Sequence, residues 1–193
     1  MAMNFQEVCR ELEKCAGKPL EPIILDEAEI FCFFLKGPYR HRFTPGDTGA
    51  RKALLDWDRA EAFVERVKKQ AEPDVHIFYM EGFESGVEVA VGQSDSKYDI
   101  LCWAKTDGSN YDIYTYDLIC ELKKIEEKYG ELKILQATYD SLELGLSRLP
   151  EDYSEFIYDL CGFCPDLRAQ MFHEEEDLID YIRENRSVPL WWD

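Results

Sequence analysis

Two apolar runs, at residues 132–138 and 142–146, stand on either side of Tyr139-Asp140-Ser141. Three residues can reverse a chain but cannot carry it back over a sheet, because a parallel crossover needs a dozen residues or more. The runs are therefore expected to pair as a hairpin. The second alternates Leu142, Leu144 and Leu146 with Glu143 and Gly145, so one face of that sheet turns inward and has to be covered.

Helical periods supply the cover. Residues 4–16 place Phe5, Val8, Leu12 and Cys15 three and four apart, behind an Asn4/Glu7 capping box and ahead of Gly17. Strands are expected at 23–25 and 30–35, followed by a loop over 36–47 that holds the densest cationic cluster, Lys36, Arg40, His41 and Arg42. A small-ligand-sensing module would use such a loop. A helix over 58–71 with an Asp58/Glu61 box precedes a meander of strands at 75–80, 87–91 and 98–104. A third helix, 116–129, carries Leu118, Leu122, Ile125 and Tyr129 on one face, with Thr115 as its cap and Gly130 past its end.

After the hairpin, a helix opens at Pro150, a loop over 162–166 leads into a short helical piece, and a last helix spans 174–185. A strand at 188–192 follows, which Pro189 restricts to a sheet edge or a strand start. The predicted fold class is α+β: a mixed, largely antiparallel sheet flanked by helices, as one unit or two small closely packed ones. A seam near 106–110 divides an amino-terminal part, 1–105, from a carboxyl-terminal part, 106–193.

Hydrophobic residues make up 46% of the 193, enough for a core, and no window of about 20 apolar residues offers a membrane span. The first 15 residues carry Glu7, Arg10, Glu11, Glu13 and Lys14 where a secretory signal needs an apolar run, and the seven cysteines are irregularly spaced. Both features predict a cytoplasmic protein with reduced thiols. Net charge is −18, and it is uneven: residues 1–105 hold 19 acids and 14 bases, residues 106–193 hold 21 and 8. Such a surface repels phosphates and anionic lipid, so nucleic-acid and membrane partners are not expected.

Cys161-Gly162-Phe163-Cys164 has the spacing of redox and zinc sites, but its flanks are helical rather than strand-to-helix, and no second ligand pair accompanies it. Cys164 as a nucleophile would need His41, His76 or His173 brought to it by the fold. The alternative reading of Phe163-Cys164-Pro165-Asp166 is a tight turn in which Asp166 caps the next segment. Glu174-Glu175-Glu176-Asp177 suits the first turn of a helix better than a metal, since consecutive helical acids diverge and offset the dipole. Asp107-Gly108-Ser109-Asn110 lacks the calcium-loop pattern, and residues 46–52 are too irregular for a phosphate loop. No cofactor and no metal are expected. The adjacent Trp191 and Trp192 are expected to pack one on each face of the last strand.

Several pieces of the second half occur in a telling order: Gly108-Ser109-Asn110-Tyr111, Glu127-Lys128-Tyr129-Gly130, Tyr139-Asp140-Ser141-Leu142-Glu143-Leu144, Phe163-Cys164-Pro165-Asp166 and Leu190-Trp191-Trp192-Asp193. With them, residues from about 107 to 193 resemble the DUF4253 family of bacterial proteins. The resemblance singles out Asn110, Tyr129, Gly130, Asp140, Phe163, Cys164, Pro165, Asp166, Trp191, Trp192 and Asp193 as motif positions, and it implies a fold rather than a reaction. The family pattern continues past Asp166 with a Gln-Gly pair, whereas Leu167-Arg168-Ala169-Gln170-Met171 stands here.

The functional expectation rests on charge. Glu151, Asp152, Glu155 and Asp159 fall in one predicted helix, and Glu174, Glu175, Glu176, Asp177 and Asp180 in another. Together they fit a protein-binding inhibitor of the immunity type that neutralises a basic partner. A thiol-dependent or hydrolytic enzyme using Cys164 with a histidine is the alternative, although no familiar enzyme signature occurs.

Overall fold

A computed structural model describes residues 2–27 and 43–193. Among them, seven strands form one sheet: β1 (Glu21–Leu25), β2 (Gly46–Leu55), β3 (Val75–Phe83), β4 (Gly86–Gln93), β5 (Leu132–Ala137), β6 (Ser141–Leu146) and β7 (Ser187–Trp191). Their spatial order is β1-β2-β4-β3-β5-β6-β7. Neighbours are antiparallel except β3 and β5, which run parallel and meet at Tyr79 and Gln136. The helices are α1 (Phe5–Ala16), α2 (Trp57–Lys68), α3 (Asp99–Ala104), α4 (Thr115–Tyr129), α5 (Tyr153–Cys161) and α6 (Glu175–Asn185), with a π-helical turn at Leu167–Met171. The fold is α+β, as the mixture of periods predicts.

Side-chain alternation on β4 distributes the core. Val87, Val89 and Val91 turn to the face covered by α1 and α2, where they join Val8, Leu12, Phe63 and Val67. Ala90 turns to the other face, into a larger core shared by Ile23 and Leu25 of β1, Phe78 of β3 and the carboxyl-terminal helices. That core includes residues on both sides of 106–110, among them Trp103 and Leu118. At Gly92 an added Cβ would stand 2.2 Å from the Trp103 ring of α3. Glycine there lets α3 lie directly on the sheet.

The helix termini follow local chemistry. Asn4 and Glu7 form the predicted capping box, each accepting the other's backbone N–H at 3.0 and 2.9 Å, and Gly17 ends α1 in the left-handed region at φ 66°. Asp56, not Asp58, caps α2, accepting from the Arg59 N–H at 3.0 Å. Tyr114 rather than Thr115 holds the cap position of α4. Thr115 instead lies buried, its hydroxyl donating to the Thr106 carbonyl at 2.7 Å.

Two larger expectations are corrected. Residues 98–104 do not make a strand: 99–104 form α3, and all six of its residues are buried. The predicted loop over 36–47 ends sooner than expected, because Gly46 and Asp47 already belong to the ten-residue strand β2. The strand expected at 30–35 and the cluster Lys36, Arg40, His41 and Arg42 lie outside the described residues. Pro189 sits on β7, which among the described residues is an edge strand paired only with β6. No helix of the described residues is long and apolar enough to cross a membrane.

Candidate functional site

Most motif segments of the second half converge where β5, β6 and β7 end. Asp107 N donates to the Tyr139 carbonyl at 2.8 Å, and Trp192 N donates to the Asp140 carbonyl at 2.9 Å. Above them Trp192 is buried, its indole N–H donating to the Phe163 carbonyl at 2.7 Å. Its ring presses on Gly108, where a Cβ would stand 2.7 Å from it. Trp191 is half-buried and donates to the Asp140 carboxylate at 3.3 Å. The two tryptophans thus do different work. One closes the core and the other binds a turn.

Asp166 ties this region together. Its Oδ1 accepts from the Tyr111 hydroxyl at 2.7 Å and from Gln170 Nε2 at 2.8 Å, and its Oδ2 accepts from Asp193 N at 3.0 Å. Burial pushes this carboxyl up, but the three hydrogen bonds outweigh it and hold the group below the ordinary carboxylate range. The same bond pushes the Tyr111 phenol up to about 12. Asp166 therefore does not cap the following segment, as the tight-turn reading expected. It begins a π-helical turn with no side-chain cap bond, and its carboxylate points to Tyr111 and the chain's last residues. The Pro165 carbonyl accepts from Arg168 N and Ala169 N at 3.3 and 3.2 Å, which starts that turn. Asn110 lies exposed beside Tyr111.

One motif segment lies elsewhere. Tyr129 donates to Asp159 at 2.7 Å and meets Phe156 edge-on at 4.8 Å, fastening α4 to α5. Gly130, at φ 103°, sits against Arg148, whose Nε donates to the Tyr129 carbonyl at 2.6 Å. Sequence reasoning quoted Tyr111 in a motif piece without giving it a role, and did not single out Gln170, Thr106 or Thr138 as members of the cluster. The Thr106 hydroxyl donates to the Thr138 carbonyl at 2.6 Å, joining the start of the region to the hairpin turn. Only the adjacency of Thr106 to the seam pointed to it.

Cys164 is fully buried, and its thiol donates to the Trp191 carbonyl at 3.2 Å. Burial pushes that thiol up to about 12, the opposite of what activates a nucleophile. Burial also raises the half-buried Cys161. His76 bonds the Ser94 carbonyl at 2.9 Å, His173 is exposed, and His41 lies outside the described residues. No group of three or more metal-ligating side chains exists among the described residues.

The acidic residues fall on neighbouring surfaces of α5 and α6. The Ser154 hydroxyl donates to Glu175 at 2.6 Å, and the Arg183 guanidinium lies 5.0 Å above the Tyr153 ring, so the two helices touch. Several acids are already engaged. Asp152 caps α5, accepting from Glu155 N at 2.9 Å. Lys128 reaches Glu155 at 2.8 Å and Asp159 at 2.7 Å, and Arg168 reaches Glu175 at 2.8 Å. Bonds from Ser154 and Arg168 hold Glu175 below the ordinary range, and Lys128 with Tyr129 does the same for Asp159. Glu176 and Asp180 share Arg183 at 4.0 and 3.3 Å. Glu151, Glu174 and Asp177 are exposed and make no ion pair among the described residues.

A family described as Domain of unknown function (DUF4253) matches residues 88–193, starting earlier than the resemblance at about 107 and taking in most of β4. No curated protein and no solved structure matches the chain.

Proposed function

Since the chain belongs to the DUF4253 family, whose description names no activity, we propose its function from the surface it presents: it is a binding module that takes a basic protein partner on the acidic face of α5 and α6. The observation that carries this reading is the Ser154–Glu175 contact, which sets two acid-bearing helices side by side. Glu151, Glu174 and Asp177 then stand exposed without a cation of their own among the described residues. First-turn acids also offset the helix dipoles, a stabilisation of about 0.3 to 1 kcal/mol each. Their second effect is outward. In a chain of net charge −18 they focus a negative field that speeds encounter with a cationic surface. The free cysteines of the described residues fit a reducing bacterial cytoplasm, where an immunity-type protein would neutralise a basic partner.

Glu175 and Asp159 are poor test sites because each is bonded within the fold. The informative variant is Glu151→Gln, Glu174→Gln and Asp177→Asn together. Basic proteins captured from the source cell at low salt are identified as salt elutes them, and association is then followed by surface plasmon resonance. The expected association rate falls about tenfold in the variant, and falls steeply for the native chain between low and physiological salt. A rate indifferent to both changes would leave the acidity as a solubility feature and overturn the proposal.

A further inference from the structure

The family segment, residues 88–193, contains β5, β6, β7 and most of β4, but not the strand that lies between them. In the sheet, β3 stands between β4 and β5, antiparallel to the first and parallel to the second. Neighbouring strands lie about 4.8 Å apart, so β4 and β5 are separated by about two spacings and cannot bond each other. Without β3 the segment has a slot one strand wide, with unpaired backbone on both sides of it.

Side chains as well as backbone depend on the strand in that slot. Phe78 of β3 is fully buried and stacks on Trp103 of α3 at 6.3 Å, and the Trp103 ring in turn lies on Gly92 of β4. The stretch just before α3 is tied to the far side of the slot. Tyr98 donates to Glu126 of α4 at 2.5 Å, and Lys97 Nζ donates at 2.7 Å to the carbonyl of Leu132, where β5 begins. Loss of β3 would strip Trp103 of a ring it packs on and break the ladder at the same time. On the opposite face, Val89 and Val91 of β4 are covered by Val8, Leu12, Phe63 and Val67, all from outside the family segment.

We infer that residues 88–193 are not a self-sufficient domain in this protein: they form a strand-receiving surface whose partner is β3 of the same chain, and the whole sheet unfolds as one unit. This holds whether or not a protein partner sits on the acidic face of α5 and α6.

Phe63→Ala on the full chain tests the coupling, because the core around Phe63 takes in no described residue beyond Val91. Native-state hydrogen exchange is followed at the slowest amides of β6 and α4, which lie outside that core. In one cooperative unit, loss of a fully buried phenylalanine lowers their protection by about a hundredfold or more, to the same extent as in β2 and β4. Protection in β6 and α4 that keeps its native value while β2 and β4 lose theirs would overturn the inference. A second measurement needs no core variant. A protease site inserted in the exposed turn at Glu84 and Ser85 is cut in the folded chain, and the products are run on gel filtration. Co-elution of the two pieces, or separation with loss of the carboxyl-terminal piece's near-ultraviolet circular dichroism, is expected. A piece beginning at β4 that elutes alone and keeps that signal would show an autonomous domain and overturn the inference as well.

Discussion

A carboxylate as buried as Asp166 stays ionised only because donors surround it, and those donors come from three separated stretches of chain: Tyr111, Gln170 and Asp193. Removing it leaves a phenol, an amide and a backbone N–H short of an acceptor, so Asp166→Ala is expected to cost about 3 kcal/mol in urea unfolding. The pH dependence has a definite sign. Because the folded carboxyl titrates lower than its unfolded value, near 3.9, its contribution is complete above that value and drains as pH falls through the folded one. Asp166→Asn cannot titrate, and its amide would face the Asp193 N–H donor to donor. The stability gap between native chain and Asp166→Asn should therefore be constant from pH 7 to about 5 and shrink below about 4. A gap that widens in acid would mean that the carboxylate is not held by these bonds.

At the scale of the element, β7 depends on its last side chains. Leu190 and Trp192 are buried and Trp191 is not, so Trp192→Ala should cost about 3 to 5 kcal/mol and Trp191→Ala distinctly less. Equal losses in the two variants would overturn this division of roles between the indoles. The same element shows what was legible in the sequence. Pro189 announced an edge strand, Leu142-Glu143-Leu144 announced a hairpin, and Asn4 with Glu7 announced a helix start, because each signal is local. β2 was not legible. It contains Gly46 and Gly49 at φ 120° and 86°, residues that read as turns, and it becomes a strand through pairing with β1 and β4 on its two sides. α3 failed for a different reason. Asp99-Ile100-Leu101-Cys102-Trp103-Ala104 is buried throughout, and a short run without a polar face carries no period to tell helix from strand. The motif residues were named, but their convergence was not readable, since Tyr111 and Asp166 meet across 55 positions.

Across the whole molecule, the charge surplus acts on stability as well as on partners. With 40 acids and 22 bases, at least 18 carboxylates have no cation to pair with, and folding brings them closer than the unfolded chain does. Their repulsion opposes the compact state. Salt weakens that repulsion, since the screening length falls from about 30 Å at 0.01 M to about 8 Å at 0.15 M. Salt also weakens the ion pairs, such as those of Lys128 and Arg183, but exposed pairs contribute only about 0 to 1 kcal/mol each. The unpaired surplus should decide the sign. Thermal melts at pH 7 in sodium chloride are therefore expected to rise with salt over that range, by about 2 to 4 °C for each kcal/mol of repulsion removed. Chloride is the right anion, because sulfate would strengthen apolar burial by itself. Near pH 4.5, where the net charge vanishes, the surplus is gone and the same salt series should leave the midpoint flat or lower it. A midpoint that falls with salt at pH 7 would show that paired charges outweigh unpaired ones, and that the acidic helices are held together by their ion pairs more than they are pushed apart by their excess.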